Sequence, residues 1–252
     1  MIDPAITTLD LGDQVLRAAT WGSGAPEIVM LHDGLGSITQ WRSVPGEVAA
    51  RSNKTVMAYE RACHGKSMSM PTGALPTRCL HDEAAVLEQV LHVVAADQPW
   101  IIGHSDGGSI ALLHAAEQNS TIKGVLALAC HSWVEDICVD AIVKMRANRD
   151  AIVGGLTKHH GHADAIFDAW SGVWVSDAFR PWDIRPELGA ISVPALIAQG
   201  ERDAYATEAH AHLTAAAIGS NARSQIVGGV GHIMHHDDAQ VVVDLICDFV
   251  SS

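Results

Sequence analysis

The sequence predicts an α/β protein with a mostly parallel central sheet flanked by helices and interrupted by one inserted helical cap. Three observations carry this. Short apolar runs alternate with stretches of helical spacing, the pattern of βαβ units whose strands are buried on both faces. The 252 residues are 48% hydrophobic and 18% charged, enough apolar side chains for one sizeable core. Residues 131–190 break the alternation, read as helical, and hold four of the seven Trp (Trp133, Trp170, Trp174, Trp182).

Residues 5–20 read as two short strands about Gly12 and Asp13, a hairpin signal. Glu27–His32 is an apolar run that stops at the Gly-bearing loop 33–37. A helical stretch near 40–51 precedes the strand Thr55–Tyr59. Residues 78–95 place Leu80, Ala84, Leu87, Leu91 and Val94 at helical spacing. Pro99–Gly103 is the next strand, Ser109–Ala116 a helix and Gly124–Ala129 a strand. Late in the chain Val193–Ala198 and Ser224–Val227 read as strands, with helices at about 205–217 and 239–250. The organisation is therefore a core of 1–130 and 191–252, with 131–190 inserted between two strands. An insertion there forms a cap over the carboxyl ends of the strands, where ligands of open α/β sheets bind. Several Trp in a small cap also serve simply as its core.

Sixteen Lys and Arg against 29 Asp and Glu leave a net charge of −13, which argues against nucleic acid as a partner because phosphates would go unneutralised. No stretch approaches 18 apolar residues, so no membrane span is expected. Met1–Ile6 has neither a basic n-region nor an apolar h-region, so no secretory signal is expected either. The five Cys form no CxxC pair and read as small buried hydrophobes of a reducing compartment. The expectation is a cytoplasmic protein.

The segment Ile101–Gly108 contains Gly103-His104-Ser105-Asp106-Gly107, a G-x-S-x-G pattern between a strand and a helix. A tight strand-to-helix turn lifts the Ser105 hydroxyl clear of the sheet, and the amides that follow sit at a helix N-terminus, where they stabilise an oxyanion. A serine nucleophile needs a base and a group that orients the base. Glu201-Arg-Asp203 follows a strand end, and Gly229-Val-Gly-His232 is a Gly-rich loop before the final helix. Asp203 and His232 are the candidates, with Glu201, Glu135 and Asp136 competing for the acid.

With these motifs the chain resembles the α/β-hydrolase fold family over nearly its whole length, as a capped serine esterase or lactonase. Leu31-His-Asp-Gly-Leu-Gly-Ser37 resembles the family's oxyanion loop, with Asp33 separating His32 from Gly34. Glu60–Ser67 resembles its D-x-x-G-x-G-x-S loop, with Ala62 and Cys63 unusual. The resemblance implies Ser105 as nucleophile, Asp203 as acid and His232 as base. It implies the backbone amides of Leu35 and Asp106 as oxyanion donors, with Gly34 or Gly36 as alternatives to Leu35. A serine at the elbow separates the chain from dehalogenases and epoxide hydrolases, which use Asp there. No cofactor is implied.

The substrate is expected to be a small carboxylic ester or a lactone, lined by Asp33 and Gly34 of the loop, His131 at the mouth, and Trp133, Trp170 and Trp174 of the cap. Asp106 faces the sheet flank or caps its helix. Alternatively it meets a substrate amine, as the Ser-Asp-Gly-Gly string, similar to that of biphenyl-hydrolase-like amino-acid-ester hydrolases, implies. The clusters His159-His-Gly-His162, His210-Ala-His212 and His232–His236 match no metallohydrolase spacing and read as surface loops, with no metal expected. Carbon–carbon bond hydrolases, cofactor-free lyases and dioxygenases reuse the same three residues, and a receptor on this fold is a third class.

Overall fold

The computed structural model describes residues 3–67, 75–117 and 120–251; Met1 and Ile2, where the stretch read for a leader begins, lie outside them. The strands are β1 (Ala5–Asp10), β2 (Val15–Trp21), β3 (Ile28–Leu31), β4 (Val56–Tyr59), β5 (Trp100–His104), β6 (Gly124–Leu128), β7 (Ala195–Gly200) and β8 (Ala222–Val227). They form one sheet in the order β1-β2-β4-β3-β5-β6-β7-β8. The β1–β2 hairpin and the β2–β4 pair are antiparallel, and every pairing from β4 to β8 is parallel.

Alternation along the parallel strands builds two cores. Val29 and Leu31, Ile101, Val125 and Ala127, and Ile197 face one side, where α2 (Cys79–Val93), α3 (Asp106–Ala116) and α8 (Ala209–Ile218) cover them. Ile28 and Met30, Ile102, Leu126 and Leu128, and Leu196 face the other, under α1 (Val44–Ser52) and α10 (Ala239–Ser251). The period of two in the side chains thus sends each continuous apolar run into both layers.

Between β6 and β7 the chain forms α4 (Asp136–Ala147), α5 (Arg149–Leu156), α6 (Ala163–Trp174) and α7 (Arg185–Leu188). These helices reach the loops that follow β3, β4 and β5. His160 donates from Nε2 to the Leu35 carbonyl at 3.0 Å and accepts at Nδ1 from the Gly65 amide at 2.9 Å, and the Trp170 indole donates to Asp106 Oδ2 at 3.1 Å. Beyond boundary shifts of up to three residues, three features differ from the sequence reading. The stretch near 40–51 splits into a 3-10 turn (Ile38–Trp41) and α1, because Arg42 turns to φ 54°. The helix expected from about 205 begins at Ala209, since residues 203–206 instead wrap the Asp203 carboxylate. A short α9 (Met234–Asp237) after His232 had no sequence signal. No helix among the described residues is long and apolar enough to cross a membrane.

The elbow is fixed by close backbone contact. Ser105 sits at φ 52° and ψ −120°, an unfavourable region for a residue with a Cβ. A Cβ on Gly103 would come within 2.1 Å of the Gly107 carbonyl oxygen, and one on Gly107 within 2.3 Å of the Leu31 carbonyl oxygen. Gly103→Ala and Gly107→Ala should therefore each cost about 3 kcal/mol or more by urea unfolding, since backbone must move. Gly154→Ala in α5, where a Cβ meets nothing within 4 Å, should leave stability unchanged or raise it by up to about 1 kcal/mol.

Candidate active site

Three loops at the carboxyl ends of strands bring Ser105, Asp203 and His232 together. Ser105 ends β5 and heads α3, Asp203 follows β7, and His232 lies between β8 and α9. His232 Nδ1 is 2.8 Å from Asp203 Oδ2, and His232 Nε2 is 2.9 Å from Ser105 Oγ. A carboxylate only accepts, so Nδ1 donates to it, which leaves Nε2 as acceptor for the Ser105 hydroxyl.

Asp203 is tightly provided for. Oδ1 accepts from the Tyr205 amide at 2.7 Å and the Ala206 amide at 3.2 Å, and Oδ2 also accepts from the buried Gln199 side chain. Burial works against the carboxylate, but the hydrogen bond and charge of His232 and the Tyr205 amide outweigh it and hold its pKa below the usual value. The competing acids are engaged elsewhere. Glu201 accepts from the Gly229 amide, Glu135 from Thr207, and Asp136 pairs with Arg180.

The loop after β3 faces Ser105. Its Leu35 amide, expected as an oxyanion donor, donates instead to Asp33 Oδ1 at 2.9 Å, and the Gly36 amide donates to the Asp33 carbonyl at 3.1 Å. Asp33 folds the loop back on itself and consumes both donors, so the Leu35 expectation is corrected. Of the three candidate loop amides, Gly34 is the one left facing the cavity beside Asp106.

Two cavities of about 200 and 180 Å³ flank Asp106 and Trp170. The first contains Ser105 and His232 together with Asp33, Gly34, His131 and Trp174. The second lies beyond Asp106 and is walled by Arg61, Glu83, Cys79 and Ile166. Asp106 caps nothing: α3 has no side-chain cap, and the Asp106 carboxylate is turned to Trp170. Burial, opposed by Arg61, pushes its pKa up. His131 donates from Nε2 to the Tyr205 carbonyl at 3.2 Å; burial and then His232 lower its pKa to about 4, so the ring is neutral.

Trp133 is corrected too. It lines neither cavity: its ring stacks on His210 at 3.7 Å and 14°, with the Arg185 guanidinium 4.3 Å from its centroid. The Trp133–Asp183 bridge ties the two ends of the insertion together and turns this ring towards α8. The histidine clusters are not simply surface loops, since His160, His210 and His235 are buried. Among the described residues no group of three His, Cys, Asp or Glu is placed to hold a metal. Gln199, Tyr205 and Glu83 carried no sequence signal, because only the folded chain brings them to the site, and His160 and Arg61 stood in segments read for other features.

The Asp203 pKa is depressed, so its contribution to stability is present above the ordinary carboxylate pKa and is lost as pH falls through the lowered value. Urea midpoints measured downward from about pH 4 should fall more steeply for the wild type than for Asp203→Asn.

The profile described as "Alpha/beta hydrolase family" matches residues 28–245. Protein phosphatase methylesterase 1 of Rattus norvegicus is 24% identical over 137 residues, 54% of this chain; the match spans only 35% of the methylesterase. A non-heme haloperoxidase of Rhodococcus erythropolis is 27% identical over 92% of this chain and 94% of its own. Among solved structures, the enol-lactonase of Burkholderia xenovorans superposes with a TM-score of 0.76 over 98% of this chain and 100% of its own, at 22% identity, a likeness of fold alone.

Proposed function

The chain belongs to the α/β-hydrolase family, and we propose that it is a serine hydrolase that cleaves a small carboxylic ester or lactone through an acyl-enzyme. The observation that carries this reading is the continuous relay Asp203–His232–Ser105, at 2.8 and 2.9 Å, opening into a mostly apolar cavity. His232 Nε2 takes the Ser105 proton as Oγ attacks the carbonyl carbon. The amides of Gly34 and Asp106 hold the oxyanion, and His232⁺ returns the proton to the departing alkoxide. Water, deprotonated by His232, then attacks the acyl carbon and frees Ser105. Asp203 stays ionised throughout, fixing the imidazole tautomer and stabilising its charged form.

In this reading residues 131–190 are the cap. Trp170 and Trp174 wall both cavities from above, exclude water and size the substrate. A second reading, an α-amino-acid ester hydrolase, draws on one feature: the buried Asp106 carboxylate lies between the two cavities, within reach of a substrate amine.

Ser105→Ala should lower kcat for p-nitrophenyl acetate and butyrate by about 10³-fold or more with the fold intact, and mass spectrometry should find an acyl adduct on wild-type Ser105 alone. Near-wild-type turnover by the variant would remove Ser105 from the chemistry. No turnover of any ester by the wild type would favour a carbon–carbon hydrolase or lyase.

Asp106→Met keeps the backbone amide. If the carboxylate recognises an amine, kcat/KM for alanine p-nitrophenyl ester should fall about tenfold to a hundredfold more than for the propionate ester. Equal losses on both esters would leave Asp106 only its role in seating Trp170.

A further inference from the structure

The loop after β3 departs from the family's His-Gly pattern by Asp33, and a buried histidine, His104, lies directly beneath it. His104 Nε2 is 2.8 Å from the His232 carbonyl oxygen, and His104 Nδ1, buried and without a hydrogen bond, is 3.4 Å from Asp33 Oδ2, within ion-pair distance. A carbonyl only accepts, so Nε2 carries a proton. A bare Nδ1 lone pair facing a carboxylate would be repulsive, so the contact favours a proton on Nδ1 as well. The two contacts thus favour an imidazolium paired with a carboxylate inside the protein.

Its surroundings favour that state. Asp33 lies on the oxyanion loop and Asp203 adds its field after β7. His232 on the base loop and His235 on α9 have ring centroids at 5.4 and 5.0 Å, and Trp41 packs at 6.2 Å. His235 is held neutral, since burial and His104 push its pKa down to about 2. Burial opposes the charge on His104, but the pairing with the Asp33 carboxylate exceeds it and raises the ring's pKa. Reciprocally, burial raises the Asp33 carboxyl, while His104 and the Leu35 amide hold it well below the usual carboxylate range.

We propose that charged His104 is a positioning residue that clamps the oxyanion loop, through Asp33, to the base loop, through the His232 backbone carbonyl. The clamp ties the two loops that must stay in register with Ser105. It also accounts for the loop's donors: Asp33, anchored by His104, is the residue that takes the Leu35 amide and leaves Gly34 to face the cavity. The charge and its partners are a property of the fold. The kinetic consequence rests on the serine-hydrolase reading.

Because the folded pKa of His104 is raised, the clamp is complete below the ordinary histidine range and is lost as pH rises through the raised value. The first measurement is ¹⁵N NMR of the imidazole rings in the full chain. Wild-type His104 should keep both nitrogens protonated through the ordinary histidine range and titrate above it, and Asp33→Asn should lower its titration midpoint. A neutral His104 in the wild type overturns the proposal whatever the activity. The second is kinetics on p-nitrophenyl acetate. His104→Phe and Asp33→Ala should each lower kcat about tenfold to a hundredfold with KM within about twofold, since a misplaced base or donor costs rate more than binding. The double variant should be no slower than the slower single. His104→Gln, which keeps a donor for the His232 carbonyl, should recover part of the loss. Losses that multiply in the double variant, or unchanged kcat in His104→Phe, overturn the clamp. An inactive wild type would count against the serine-hydrolase reading instead, leaving the NMR result to decide the clamp.

Discussion

Backbone pressed against backbone at the turn from β5 into α3 is the constraint from which the site follows. The Gly103 and Gly107 positions, where any Cβ would lie within 2.3 Å of a carbonyl oxygen, let the first turn of α3 sit down on β5 and on the end of β3. Ser105 is then forced to positive φ, and its hydroxyl projects away from the sheet towards His232. The same seating puts Asp106 at the N-terminal, positive end of the helix, beside the cavity that Ser105 lines. It also brings the carboxyl end of β3 alongside, so the loop carrying Gly34 becomes the opposite wall. Strain at one residue is maintained by the packing of three elements, the condition under which such strain persists.

The insertion is joined to this frame by polar contacts rather than by apolar area alone. His160 bridges the Leu35 carbonyl and the Gly65 amide, and Trp170 reaches Asp106. These contacts fall on the loops after β3, β4 and β5, so whatever shifts the insertion also shifts the wall of the site. Gly34 is again a matter of space: a Cβ there would meet the Trp170 ring nitrogen at 2.0 Å. One indole thus rests on the loop glycine and the residue after Ser105 at once, and it divides the two cavities.

The sheet, the two helical layers and the insertion were legible because each rests on local signals: period-two burial, helical spacing and a break in their alternation. Ser105, Asp203 and His232 were legible because each stands just past an apolar run, a position that chain order alone locates. What was missed depends on long-range placement. Trp133 shares the composition of the other insertion Trp residues, yet its strand bridge to Asp183 turns it onto His210. Leu35 lost its donor to a side chain two residues away, an Asx-type turn that the Asp33-Gly34 pair signals but that was read only as a gap in the His-Gly pattern. Gln199 read as one more strand residue, although it is a buried amide that supports Asp203.

The histidines show why composition could not resolve the electrostatics. Clusters of them read as solvated loops, whereas seven of the described histidines, including His32, His160 and His210, are buried. Burial alone drives an imidazole to its neutral form, which carries one donor and one acceptor and so joins an amide to a carbonyl. His160 does so between Gly65 and Leu35, and His32 takes the Arg61 amide at Nε2 while its Nδ1 donates to the Asp33 carbonyl. His210, with burial as the main cause, is lowered to about 2. A facing carboxylate does not by itself reverse this, since His210 stays lowered with Glu135 Oε2 3.1 Å from its Nε2. Asp203 accepts from Nδ1 of half-buried His232 at the surface of the cavity. At buried His104 beneath, the Asp33 carboxylate does outweigh burial and raises the ring's pKa. The two carboxylates thus stand behind two rings 5.4 Å apart, centre to centre, one lining the cavity and one buried beneath it. That difference in solvent access is one that no stretch of sequence displays.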